Sequence, residues 1–153
     1  MYLCHNNHFT PSLLYSMDDY LLNFAMLKMV VRYYLQDYVD TEGDYFLSPI
    51  FTPDHILEQF PRTEVFIPER DPLRDDALRF CAKVLKAQGK LRIRFFKYLC
   101  HGLLNMSIKN GLPESFLFER KVRSCLNKMF AKLEIEKDEI KNVQIKHHNS
   151  AKF

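Results

Sequence analysis

Apolar residues recur at helical spacing through the first organised stretch of the chain. Between Asp18 and about Tyr38 there is neither Gly nor Pro, and Leu22, Met26, Met29, Tyr33 and Leu35 trace one face. This spacing predicts a long, mostly buried helix over about 18–38, with Ser16 or Asp18 as its cap. Residues 1–15 carry no sustained pattern and read as a loose lead-in. Past the helix, Asp40-Thr41-Glu42-Gly43-Asp44 supplies turn and breaker residues. Thr52-Pro53-Asp54-His55 then places a capping side chain ahead of a proline at the first helical position, which predicts a short helix over about 52–60.

The pattern next changes period. Thr63-Glu64-Val65-Phe66-Ile67 is a β-branched and aromatic run, closed by Pro68, and predicts a strand over about 63–67. From Asp71-Pro72 the spacing is helical again, with Leu73, Ala77, Phe80, Cys81, Val84 and Leu85 on one face. A helix over about 72–88 is expected to stop at Gln88-Gly89, where glycine can turn left-handed. Leu91-Arg92-Ile93-Arg94-Phe95 alternates and predicts a second strand over about 91–96, leading into Cys100-His101-Gly102. Strands joined through a helical crossover lie parallel, with a right-handed connection, so the fold class is α/β. A last helix over about 113–133 sets Phe116, Val122, Cys125, Leu126, Met129 and Phe130 against Arg and Lys, and 134–153 reads as a polar, loose tail.

Composition narrows the function classes. With 47% apolar residues and only 4 glycines in 153, the chain suits a globular domain with a buried core. Its net charge of +3 comes from 22 basic and 19 acidic residues spread along the sequence, without a basic block to follow a phosphate backbone, so nucleic acid is not the expected partner. Cys4, Cys81, Cys100 and Cys125 are scattered without a Cys-x-x-Cys pair, which fits reduced, buried thiols. The first ten residues do not resemble a secretory leader, and the most apolar run, Leu21 to Val31, is interrupted by Asn23 and Lys28, so a cytoplasmic chain without a membrane span is expected. Cys4, His5 and His8 lack a second set at metal-ligand spacing, and neither metal nor cofactor is expected.

The residues with chemical promise follow the two predicted strands. Asp71 comes after the first and His101 after the second, and the C-terminal ends of parallel strands bring such groups to one rim of a sheet. A carboxylate that holds one imidazole nitrogen leaves the other able to take a proton from a hydroxyl. Asp71 followed by proline equally suits a helix cap, and the two roles are compatible. Asp75 reads as a first-turn carboxylate complementing the helix dipole. Cys100 adjoins His101, but neighbours along an extended segment point apart and make a poor nucleophile–base pair.

Five motifs then occur in order: Tyr45-Phe46-Leu47-Ser48-Pro49-Ile50, Pro53-Asp54, Phe60-Pro61-Arg62-Thr63, Asp71-Pro72-Leu73-Arg74-Asp75 and His101-Gly102-Leu103. Together they resemble the C-terminal signature of hormone-sensitive-lipase-type esterases of the α/β-hydrolase fold. Asp18-Asp19 and Leu22-Asn23 through Leu27-Lys28-Met29 resemble the segment ahead of that signature in the hormone-sensitive lipases. The resemblance covers about residues 16–133 and implies the C-terminal portion of an α/β-hydrolase domain, with Asp71 as triad acid and His101 as general base. Glu69, Arg70 and Leu103 depart from the family's pattern. The Gly-x-Ser-x-Gly elbow and the His-Gly-Gly-Gly oxyanion loop have no counterpart, since Gly43, Gly89, Gly102 and Gly111 neither flank a serine nor adjoin one another. The resemblance thus implies a relative of serine hydrolases acting on acyl esters or acylglycerols, inactive alone. Two other readings stand beside it: a half completed by a second, N-terminal polypeptide, and a non-catalytic module that touches a partner or a lipid surface through the basic face of Arg120, Lys121, Arg123, Lys128 and Lys132 or through the long N-terminal helix.

Overall fold

Each predicted element has a counterpart, and one helix is added to the set. In the computed structural model the described residues are 9–36, 43–107 and 111–150. The element order is α1 (Pro11–Tyr15), α2 (Phe24–Leu35), α3 (Asp54–Leu57), β1 (Thr63–Arg70), α4 (Arg74–Lys86), β2 (Leu91–Cys100) and α5 (Pro113–Ser150), with 3-10 turns at Pro49–Phe51 and Leu103–Met106. The chain divides into two units, one up to His101 and one from Gly102 onward.

In the first unit β1 and β2 form a two-stranded parallel sheet, with α4 between them in sequence. This is the parallel strand–helix–strand arrangement that the α/β reading predicted. Pairing runs in step from Thr63 with Leu91 to Pro68 with Phe96 and then slips, so that Arg70 partners Cys100. Both strands outrun their predicted ends at Ile67 and Phe96. Pro68 does not close β1, because a strand with an open edge can hold a residue that lacks an N–H donor. On one sheet face Phe66 stacks on Phe96, with ring centroids 6.0 Å apart. On that face too the nearly buried Glu64 carboxylate takes Arg94 Nε at 2.8 Å and has Arg92 and Arg62 at 3.8 and 3.9 Å. One acid thereby ties the two strands together across the ladder.

The core lies where α4 meets the sheet and the α3 segment. Leu57, Phe80, Val84 and Ala87 are buried together, with Ile50, Phe60 and Leu91 packed around them. Burial of such large apolar side chains contributes about 1.5–3 kcal/mol each. Leu85 falls outside this face and is 55% exposed, so the predicted apolar stripe is narrower than the spacing implied. The helix occupies Arg74–Lys86 rather than 72–88, and its C-terminal turn corrects the glycine reading: Gln88, at φ 55°, takes the left-handed conformation. Gly89 serves close approach instead, since a Cβ there would lie 2.7 Å from Val84 Cγ1.

The N-terminal expectations need the largest corrections. Residues of the supposed loose lead-in form α1, capped by the Thr10 hydroxyl, which accepts the Leu13 N–H. The long helix over 18–38 is the shorter α2, because the Asn23 side chain caps it by accepting the Met26 N–H, and Asp19 instead closes a turn by accepting the N–H groups of Leu21 and Leu22. Its predicted C-terminal residues 37 and 38 lie outside the described residues. No α2 residue is fully buried, contrary to expectation. Of the helix predicted over 52–60 only α3, Asp54–Leu57, is formed, behind the 3-10 turn at Pro49–Phe51, and the Thr52 hydroxyl donates back to the Pro49 carbonyl instead of capping forward.

The second unit is dominated by α5. Fully buried Ser115 donates its hydroxyl to the Met106 carbonyl at 3.0 Å, and Glu119 bonds the Ser107 hydroxyl and pairs with Arg123 one turn on. The helix runs to Ser150 rather than ending near Leu133, and the tail expected from 134 is helical that far. No Gly or Pro follows Pro113 to stop it, and alternating charge is compatible with a solvated helix. Residues 151–153 lie outside the described residues.

Candidate active site

The turn from β1 into α4 fixes the acid. Asp71 follows directly on the last residue of β1; its Oδ1 accepts the Leu73 N–H at 2.8 Å, and its carbonyl accepts the Arg74 N–H at 3.0 Å. The side chain therefore closes a tight turn ahead of the helix rather than capping it: the N-cap of α4 is Leu73, without a side-chain cap bond, and Pro72 stands outside the helix, so the capping role read from Asp71-Pro72 is not found. With Oδ1 committed, Oδ2 is turned to His101, whose Nδ1 lies 3.0 Å away. The Asp71 side chain is 11% exposed and that of His101 41%. The two residues singled out in the sequence are thus brought into contact at one rim of the sheet, the acid sheltered and the imidazole open.

The contact changes the histidine's protonation. The hydrogen bond that His101 donates to Asp71 pushes the His101 pKa above its ordinary value, burial works in the opposite direction, and the Asp71 and Asp19 charges add to the upward shift. Cys100 behaves differently: burial pushes its thiol up, away from the thiolate a nucleophile requires. The thiol–imidazole alternative therefore has no electrostatic support.

A cleft of about 470 Å³ adjoins the acid, lined by Ser12, Asp19, Glu69, Asp71, Arg74 and Tyr98 among others. Its walls depend on contacts invisible in the sequence. Asp75, read there as a helix-dipole carboxylate, accepts the Ser12 N–H at 2.8 Å and pairs with Arg74 Nε at 2.8 Å. Burial works to raise the Asp75 pKa, but these bonds together hold it below the ordinary value. Ser12 in turn donates its hydroxyl to the Pro72 carbonyl at 2.9 Å, so α1 is bound to the turn that carries Asp71. The sequence signal for this was confined to Thr10-Pro11-Ser12, a cap with proline at the first helical position, in a segment too short to show a period. Among the described residues no group of three or more His, Cys, Asp or Glu is arranged to hold a metal ion, and no helix is long and apolar enough to cross a membrane.

Comparison with known proteins agrees with this architecture. A family model described as alpha/beta hydrolase fold matches residues 5–105, and the chain belongs to that family. No curated protein matches it. Among solved structures it is similar to carboxyl esterase 2 of the mycorrhizal fungus Tuber melanosporum, with TM-score 0.63 and 17% identity over 72% of this chain and 36% of that one. An esterase from the fungus Rhizomucor miehei superposes with TM-score 0.67 and 20% identity, over 84% of this chain and 39% of the esterase. At these identities the likeness is one of fold. Brefeldin A esterase, a bacterial homologue of human hormone-sensitive lipase, shares 26% identity at TM-score 0.63, over 76% of this chain and 31% of that one. With the motifs from Tyr45 to Leu103, this sets the chain in the hormone-sensitive-lipase-type group of the family. The chain spans less than two-fifths of the length of each of these esterases.

Proposed function

We propose that this chain carries the acid and base of an ester-hydrolase triad and works only when a serine hydroxyl is supplied from outside these residues. Asp71 is the acid: it keeps the proton of His101 on Nδ1, fixes the ring, and stabilises the imidazolium. His101 is the general base, and Nε2 is the nitrogen left to take a proton from serine. The observation that carries the reading is the 3.0 Å contact between a sheltered Asp71 Oδ2 and the Nδ1 of a half-open imidazole. Substrates are acyl esters or acylglycerols, the class its hormone-sensitive-lipase-type relatives suggest. Without a Gly-x-Ser-x-Gly serine and an oxyanion loop no acyl-enzyme forms, so the chain alone is inactive.

Completion by a second polypeptide is supported by the exposure of Ile93 and Phe95 on β2, at 41% and 47%, in a sheet of only two strands. The test is hydrolysis of a short acyl ester by the chain alone and by the chain co-expressed with a polypeptide bearing both missing motifs. Activity is expected only in the pair and is expected to vanish with His101→Ala. Turnover by the chain alone that depends on His101 overturns the inactivity, and an active pair indifferent to His101→Ala overturns the acid–base role.

A further inference from the structure

The acid and base meet only because β2 slips against β1. Up to Pro68 opposite Phe96 the ladder is regular, and continued without change it would set Arg70 against Tyr98 and Asp71 against Leu99. Instead two residues of β1, Glu69 and Arg70, are matched by four of β2, Lys97 to Cys100, and Arg70 pairs with Cys100. One step further on are Asp71 and His101. The slip is therefore the feature that converts a spacing in sequence into a contact in space.

The slip needs Tyr98 at φ 64°, a left-handed conformation that side chains bearing a Cβ adopt only at a cost. What offsets that cost is visible. The Tyr98 N–H, lifted out of the ladder, donates to Glu69 Oε2 at 2.7 Å. The backbone of Glu69 is held as well, because its carbonyl accepts Arg74 Nη1 at 3.1 Å from the first turn of α4. The Tyr98 side chain is 73% exposed and leaves the conformation to its backbone.

We infer that Glu69 is a positioning residue for the Asp71–His101 pair, its carboxylate clasping the Tyr98 backbone and so holding β2 in the slipped register that brings the imidazole to the acid. The inference rests on the proposed acid–base role for its meaning, but not for its test, which reads the imidazole and not turnover. Among the described residues the charged groups acting on that ring are Asp71, by its bond and its charge, and Asp19.

The experiment is titration of the His101 ring in the full chain by NMR. E69A is expected to shift the His101 titration downward, towards that of an ordinary histidine, because the ring withdraws from Asp71. E69Q, whose amide oxygen still accepts the N–H, is expected to titrate as the unaltered chain does. Y98G reaches positive φ freely, so the E69A/Y98G chain is expected to regain the raised titration, and it carries the test if E69A alone fails to fold. An E69A chain whose His101 titrates unchanged, or an E69A/Y98G chain that stays shifted, overturns the clasp. A correct titration pattern with an inactive complemented pair would instead count against the proposed function and leave the clasp standing.

Discussion

Helices α2 and α4 are almost the same length, 12 and 13 residues, and α2 is the more apolar, yet α4 buries four side chains and α2 none. Their difference lies in what each has to pack against. α4 is joined at both ends to strands of one sheet, and the parallel ladder lays it back over that sheet. In α2, Phe24, Leu27, Val31 and Leu35 are half-buried along one stripe, while Met29, Tyr33 and Tyr34 are exposed. Apolar spacing tells which face of a helix seeks cover, and the neighbouring elements decide whether it finds any.

The contrast can be broken most directly by truncation. Phe80→Ala on α4 is expected to cost about 3–5 kcal/mol in urea unfolding, whereas Tyr33→Ala on α2 is expected to change stability by less than about 0.5 kcal/mol. Similar losses at the two sites would mean that α2 is as firmly packed as α4. Next in size is Asp75→Ala, which removes both the tie to α1 and the Arg74 pair; loss of a charged hydrogen-bond partner predicts about 1.5–3 kcal/mol. Because the Asp75 pKa is held down in the fold, its contribution is full above the ordinary carboxylate range and is lost as pH falls through the lowered native value. The stability difference between the Asp75→Ala chain and the unaltered one should therefore narrow on acidification.

The smallest effect belongs to the half-exposed histidine. Its pKa is raised in the fold, so the imidazolium charge facing Asp71 adds stability that is complete below about pH 6.5 and fades as pH rises through the raised native value. Unfolding of His101→Gln against the unaltered chain should show a gap of less than about 1 kcal/mol that is larger at pH 5.5 than at pH 9. A gap that widens with pH would contradict the bond as described. In a complemented enzyme the same shift moves the rise of activity with pH above that of an ordinary histidine, since the base must be neutral to act.

The sheet, α4 and the meeting of Asp71 with His101 were legible because each is written locally. A β-branched run, a helix with one apolar face, an alternating run, and Asp and His after the two strands need only chain order to be brought together. What escaped is set by partners distant in sequence. Ser12 and Asp75 are 63 residues apart, and nothing near either announces the other. The early start predicted for α2 failed because Asp19 spends its side chain on a turn, leaving the cap to Asn23. The slip in β2 escaped for a different reason: a left-handed tyrosine gives no signal of the kind a glycine would.

Asp71, His101 and the irregular ladder between them occupy a single stretch with one crossover, and the partners in the bond are 30 residues apart. They are consequently carried on one contiguous piece of chain, from Thr63 to His101. A recombination break just ahead of Thr63 would keep both side chains on one piece, yet would part the turn that holds Asp71 from Ser12, whose hydroxyl bonds the Pro72 carbonyl.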